Sequence, residues 1–267
     1  MKQDFDVFFH LGLPKTASTF LQYNFFPMLN DVKYFPKKHF KKYHDLKPEP
    51  GKKYLFTSEK DRNFEKAIAH ISQKFPQAKI ILVFRRHDDW IKSKYKYYIR
   101  KYGHRHFDDF FDMEENKGLW KREDLYYQNK IQIIEKYLEN QPLILTFDEL
   151  KTNPQNFIDQ IADYMETTYE AEKVDFNVVK KNFGIKKLII LRKFNRAYKF
   201  KEEKYKKTIL KKVYGTYRKF LLHIVAFFAG FLPQSAIKNE KLIEDEAQLK
   251  KIRNYYKNDW EFCKNYS

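Results

Sequence analysis

The chain has 267 residues, 43% of them hydrophobic, with 26 Phe, 20 Tyr, 7 Gly and 9 Pro. This is enough apolar material for a sizeable core, and it excludes a low-complexity chain. Lys and Arg number 53 against 35 Asp and Glu, a net charge of +18, and the single cysteine, Cys263, excludes an internal disulfide and a Cys-based zinc site.

The first residues carry no signal-peptide core. The longest apolar run, residues 220–232, is 13 residues long, too short to span a bilayer. The cytoplasm is therefore the expected location, with association at the inner face of the membrane left open. A β-rich apolar run, residues 5–11, stops at Gly12 and Pro14. A Lys-Thr-Ala-Ser-Thr cluster follows, and Phe20-Leu21…Phe25…Leu29 then predicts an amphipathic helix. Residues 32–36 read as a short strand, 37–53 as a basic loop and 54–57 as a buried strand. A helix is expected over 63–75, with Phe64, Ala67, Ile68 and Ile71 on one face. Pro76 ends it, and residues 79–84 form an apolar run of the kind buried on both faces of a parallel sheet. Arg85 stands at that strand's end, and a helix runs on towards Arg100. A single long helix is expected from about Arg122 to Leu138, a strand over 143–147, and a helix opened by Asn153-Pro154 that reaches about Met165. Strands alternating with helices predict a three-layer α/β fold with a central parallel sheet and ligands at the carboxyl ends of its strands. The expected organisation is one domain over 1–267. Residues 1–170 would form its α/β core and 171–267 a mainly helical, basic C-terminal part.

Two stretches carry chemistry. The first is Gly12-Leu13-Pro14-Lys15-Thr16-Ala17-Ser18-Thr19, between a strand and a helix. A helix N-terminus presents unpaired backbone N–H groups and the positive end of a dipole, which together attract an anion. Ser18 and Thr19 add hydroxyls, and Lys15 adds a point charge on a flexible stem. The order is not that of a Walker A loop, which ends in Gly-Lys-Ser/Thr. The second is Arg85 with Ser93 eight residues on. An arginine fork suits a dianionic phosphate, and a serine one to two helical turns in supplies another donor.

The Pro-Lys-Thr-Ala-Ser-Thr order resembles the 5′-phosphosulfate-binding, P-loop-like loop of sulfotransferases that use 3′-phosphoadenosine 5′-phosphosulfate (PAPS). Arg85…Ser93 resembles the 3′-phosphate-binding element of the same family. Residues 145–150, Asn153-Pro154, Asn182, 191–196 and 256–262 resemble later segments of bacterial carbohydrate sulfotransferases. Ala17 stands where the family's loop has glycine. The glycine-rich Arg-Lys-Gly segment of cytosolic sulfotransferases is absent from the sequence, which leaves Asn182, Lys186 and Lys187 as candidates for late phosphate contacts. The resemblance implies in-line sulfuryl transfer from PAPS to an acceptor hydroxyl, on a saccharide or glycoconjugate, with no metal. Lys15, Thr16, Ala17, Ser18, Thr19, Arg85 and Ser93 would hold the cosubstrate, and Lys15 would serve the leaving oxygen. Glu59 is the candidate base, because glycan sulfotransferases resembling this chain carry a glutamate after the corresponding strand. The plain alternative is a solvated loop carboxylate, and His10, His87 and Asp88 are the other candidates.

Residues 186–219 hold 14 Lys/Arg against 2 acids, a net +12. Such a segment attracts polyanions. With the apolar run after it, residues 186–232 form either a basic cover packed on the domain, the preferred reading, or a peripheral membrane contact; a groove for an anionic glycan is a third option. Two rivals remain. A nucleotide kinase would need a Gly-Lys-Ser/Thr loop, which is missing. A nucleic-acid-binding protein would leave the Lys15 and Arg85 motifs unexplained; nucleic acid is not the expected partner.

Overall fold

The computed structural model describes residues 4–61, 63–177, 183–198, 208–238, 240–243 and 246–266. The chain divides into two compact units, 1–90 with 123–179 and 253–267, and 91–122 with 180–252. This partition differs from the expected break near residue 170: residues 91–122 join the later part, and the C-terminal segment returns to the first unit.

The first unit is built on five parallel strands in the order β2-β3-β1-β4-β5. They are β1 (Asp6–His10), β2 (Val32–Phe35), β3 (Lys53–Thr57), β4 (Lys79–Phe84) and β5 (Leu143–Thr146). Alternation sends Phe8, Leu55, Ile81, Val83 and Leu145 to one face, where Leu21, Phe25, Phe157, Ile158 and Ile161 close the core. On the other face Phe9 meets Phe40, Tyr43 and Phe56. Both faces are covered by helical segments, as the continuous apolar strands require.

Several elements depart from expectation for physical reasons. After β1 the helix is short. Helix α1 (Ser18–Phe20) passes into a π-helical turn (Leu21–Phe25) and a 3-10 turn (Phe26–Met28). Pro27 has no N–H to give and its ring crowds the preceding turn, so a regular helix cannot run to Leu29. The basic loop after β2 is a 3-10 helix over Lys37–Asp45, which buries Phe40 and Tyr43. Helix α2 (Phe64–Lys74) follows β3, and α3 (His87–Arg100) follows β4. The single helix expected over 122–138 is two pieces, a 3-10 turn (Arg122–Leu125) and a later α-helix (Gln128–Tyr137). The break is set from afar: the Asp259 carboxylate accepts the backbone N–H groups of Tyr127 and Gln128, both at 2.9 Å, and so starts a new helix there.

The second unit holds most of α3, α4 (Phe107–Phe110) and the helices between residues 185 and 252. Helix α5 is Gln128–Tyr137, and α6 (Phe147–Thr152) and α7 (Pro154–Tyr164) complete the first unit's order. A capping box on Thr146 and Glu149 starts α6 and ends β5 one residue before expectation. In the second unit α8 (Ile185–Tyr198) packs against α9 (Thr208–Phe228). Buried Arg192 reaches the Tyr95 hydroxyl, the carbonyl of Lys241 and the Glu240 carboxylate. Asn195 donates to the carbonyls of Ile99 and Gly103. Helix α10 (Glu246–Tyr255) leads into α11 (Lys257–Lys264), which carries Asp259.

Candidate functional site

β1 lies between β3 and β4. From β1 the chain turns to β2 on one side, and from β4 it goes on to β5 on the other. The two exits therefore diverge, and a crevice at the carboxyl ends of β1 and β4 is where such sheets take ligands. Both sequence motifs begin at these exits.

The loop after β1 is held in an unusual backbone. Lys15 and Ala17 both lie in the left-handed region, at φ 76° and 65°. Alternating hand over successive residues turns neighbouring N–H groups towards one side, a concave anion-binding arrangement. The Thr16 hydroxyl donates to the Leu13 carbonyl at 2.6 Å, and that of Ser18 to the same oxygen at 3.1 Å. Both hydroxyls thus stiffen the loop from within, with Thr16 fully buried. Lys15 and Thr19 are half-buried. A third tie comes from Trp90, whose indole N–H donates to the Pro14 carbonyl at 2.8 Å.

Gly12 is required by close approach. A methyl group there would stand 2.6 Å from Nε2 of His10. His10 is fully buried, and its Nδ1 is 2.9 Å from the Thr57 hydroxyl, which also accepts from the Gln22 amide at 3.1 Å. Nε2 has no hydrogen-bond partner among the described residues. Burial pushes the imidazole pKa down to about 3, so the ring is neutral at ordinary pH.

Glu59 follows β3. Its neighbours tie it to the loop, since Ser58 N–H donates to the His10 carbonyl at 2.9 Å and Lys60 N–H to that of Gly12 at 3.3 Å. The Glu59 carboxylate pairs with Lys37 and keeps 28% of its side chain exposed. Of the other candidate bases, His87 is stacked between Tyr127 and Tyr256 and bonds Asp259 at 2.8 Å. Burial lowers its pKa, and Asp259 only partly opposes that. Asp88 is buried between Arg86 and Arg253. Burial works against its charge, yet hydrogen bonds from the two arginines outweigh it and hold the carboxyl below the usual range. Both residues are committed to the framework.

Arg85 sits directly after β4, its guanidinium 4.7 Å from the centroid of the Phe147 ring. Its Nε is buried with no hydrogen-bond partner among the described residues. Burial lowers its pKa from the usual arginine value, though nearby Asp89 and Asp148 oppose the shift. Its carbonyl accepts from the Tyr127 hydroxyl at 2.7 Å. Arg86, by contrast, is spent on Asp88 and Asp89. Ser93 is half-buried about two turns into α3, on the part that belongs to the second unit. Of the late candidates, Asn182 lies outside the described residues. The Lys186 ammonium donates to the carbonyls of Gly230 and Leu232 at 3.0 and 2.9 Å, which holds the turn that follows α9 (Thr208–Phe228).

Sequence reasoning missed the His10–Thr57–Gln22 chain, the Trp90 tie and the Lys37 partner of Glu59. The one local signal was Gly12 two residues after His10. The first unit also has a pocket of about 400 Å³ lined by Asp31, Lys53, Asp163 and Glu166. It adjoins the amino ends of β2 and β3, the end opposite the loop.

A model of the sulfotransferase family matches residues 29–171, just over half of the chain. That span holds Glu59, Arg85 and Ser93, while the Lys15 loop precedes it. A sulfotransferase from Alicyclobacillus acidocaldarius is similar in structure, with TM-score 0.52 and 15% identity over 65% of this chain and 85% of that one. Mouse sulfotransferase SULT7A1, solved complexed with PAP, aligns with TM-score 0.44 and 17% identity over 64% of this chain and 61% of its own. A search of curated proteins finds no match.

Proposed function

The chain belongs to the sulfotransferase family, and from that premise we propose that it moves a sulfuryl group from PAPS to a hydroxyl of a saccharide or glycoconjugate. The observation that carries the donor assignment is the pairing of a left-handed Lys15–Ala17 loop with a buried Arg85 at the exits of adjacent strands. A nucleotide carrying both a 5′-phosphosulfate and a 3′-phosphate needs two separate anion holders. The loop N–H groups with Lys15, Thr16, Ala17, Ser18 and Thr19 suit the first, and Arg85 with Ser93 suits the second. The unpartnered Nε of Arg85 and Nε2 of His10 fit this reading, because a buried polar atom left unpaired costs about 1–3 kcal/mol. PAPS would supply the activated sulfuryl group.

The chain's own residues do the rest. Lys15 neutralises charge developing on the leaving phosphate, and the rigid loop keeps its N–H donors oriented without reorganisation. Glu59, beside the loop and partly open to solvent, takes the acceptor proton. Lys37 holds the carboxylate in place. The saccharide acceptor rests on the resemblance of residues 145–150, 191–196 and 256–262 to segments of bacterial carbohydrate sulfotransferases.

The test is calorimetric titration with 3′-phosphoadenosine 5′-phosphate, beside ATP with Mg²⁺, on the wild type and Arg85→Ala. The expected result is metal-independent binding of the 3′-phosphorylated nucleotide, weakened at least about tenfold by Arg85→Ala, since charge-assisted bonds to phosphate carry about 1.5–3 kcal/mol. Equal affinity in the two proteins, or binding of ATP alone, overturns the donor assignment.

A further inference from the structure

Helix α9 has two apolar faces, and only one is used. Leu222, Ala226 and Ala229 are buried in the second unit. The other face carries Leu210, Val213, Tyr217, Phe220, Ile224 and Phe227, with Phe231 just past the helix end. Their spacing alternates between three and four residues, which keeps them on one stripe. Phe220 and Phe227 are each 62% exposed, Phe228 beside them 62%, and Phe231 74%. Helix α9, part of the basic cover expected from the sequence, is thus packed on one side only. A stripe of exposed phenylalanines this long is outside the scattered apolar exposure normal for a protein surface.

The end of the stripe is held firmly. Lys186 caps the carbonyls of Gly230 and Leu232, and Phe227 stacks edge-on against Phe228 and Phe231 at 5.5 and 5.1 Å. Charge names the occupant. Residues 208–228 contain no acid; Lys212 and Lys219 are exposed, while Arg218 is buried against the Tyr102 ring. Two copies meeting along the stripe would bring these cations together with no acid on the helix to answer them, whereas coiled-coil pairing depends on complementary charges beside its seam. An apolar face bordered by cations matches an anionic lipid surface, where the rings enter the headgroup boundary and the ammonium groups meet phosphates. No described helix is long and apolar enough to cross a membrane, so the contact is one that lies on the surface.

We infer that α9 and the turn after it form a docking face for an anionic membrane. The experiment is co-sedimentation of the full chain with vesicles of phosphatidylcholine alone and of phosphatidylcholine with phosphatidylglycerol. It uses the wild type, Phe220→Ser/Phe227→Ser/Phe231→Ser and Lys212→Glu, with sedimentation velocity on the same proteins without lipid. The expected result is binding to the anionic vesicles that weakens with salt, falls at least about tenfold in the triple variant given the apolar area it removes, and falls less in Lys212→Glu. The substituted side chains are exposed, and matching thermal melts establish that the variants fold. Equal binding to neutral and anionic vesicles overturns the inference, as does binding unchanged by the triple substitution. Absence of vesicle binding with a dimer that the triple variant abolishes overturns it in favour of a second copy. None of these readouts depends on the donor or the acceptor.

Discussion

Ala17 occupies a left-handed backbone at φ 65° without being glycine. That conformation costs an L-residue about 1–2 kcal/mol, while glycine avoids the clash but loses more chain entropy on folding. Ala17→Gly is therefore expected to unfold in urea within about 1 kcal/mol of the wild type and to keep its turnover. Ala17→Val, branched at Cβ, should lose about 2 kcal/mol or more. The family's glycine at this position thus has a backbone reason, and this chain tolerates the smallest departure from it. At the same scale, Lys15→Ala should lower kcat about a hundredfold or more with little change in nucleotide affinity, in line with loss of one oriented transition-state donor. Glu59→Gln should lose turnover while binding survives, and near wild-type rates in either variant would remove that residue from its assigned role. The backbone setting of Lys15, Ser18 and Arg85 was legible in the sequence because each stands in a local pattern of strand, turn and helix start. His10–Thr57, Trp90–Pro14 and Lys37–Glu59 were not, because these pairs are 47, 76 and 22 residues apart and nothing local marks them.

Among elements, the strands were the most readable, since buried parallel strands are continuous apolar runs whose ends coincide with Gly, Pro or charge. The helix over 122–138 was misread for a definite reason. Its apolar periodicity continues through Tyr126 and Tyr127, but the start of α5 is dictated by Asp259, 131 residues from Gln128. Asp259 also bonds the buried His87. Asp259→Ala would leave two backbone N–H groups and an imidazole without their acceptor. We expect a loss of about 3 kcal/mol or more, the usual cost of removing one member of a buried polar cluster, read as a shift in urea midpoint at unchanged slope. Asp259→Asn should lose less, since its carbonyl oxygen can still accept from one of the two N–H groups.

For the whole molecule the titrating groups set the direction of pH stability. His10 is held neutral, its pKa pushed down to about 3, and the Asp88 carboxyl is held below its usual range. In both cases the unfolded chain binds the proton first as pH falls. Stability is therefore full above about pH 6.5 for His10, the ordinary histidine value, and is lost as pH drops towards its folded value; Asp88 adds its loss lower, below the ordinary carboxylate pKa. Urea midpoints should fall steadily from pH 6.5 to pH 4, and His10→Asn, which can still reach Thr57 but does not titrate, should flatten the slope in that window. A slope unchanged by His10→Asn would place the acid sensitivity elsewhere. The division into two units was not readable from composition, because the basic run at residues 186–219 falls inside one unit and marks no boundary. What assembles the first unit is pairing across the chain, with Arg253 on Asp88 and Asp259 on α5.

The return of residues 253–267 to the first unit has a consequence for synthesis. All five strands are translated by residue 146, yet the acceptor that starts α5 and pairs His87 emerges only with residue 259. A nascent chain stalled after the sheet has been made has an imidazole and two amides without the Asp259 carboxylate that bonds them. The sheet can collapse early, but the cluster around His87 and the start of α5 closes only once residues 256–260 are free to pack.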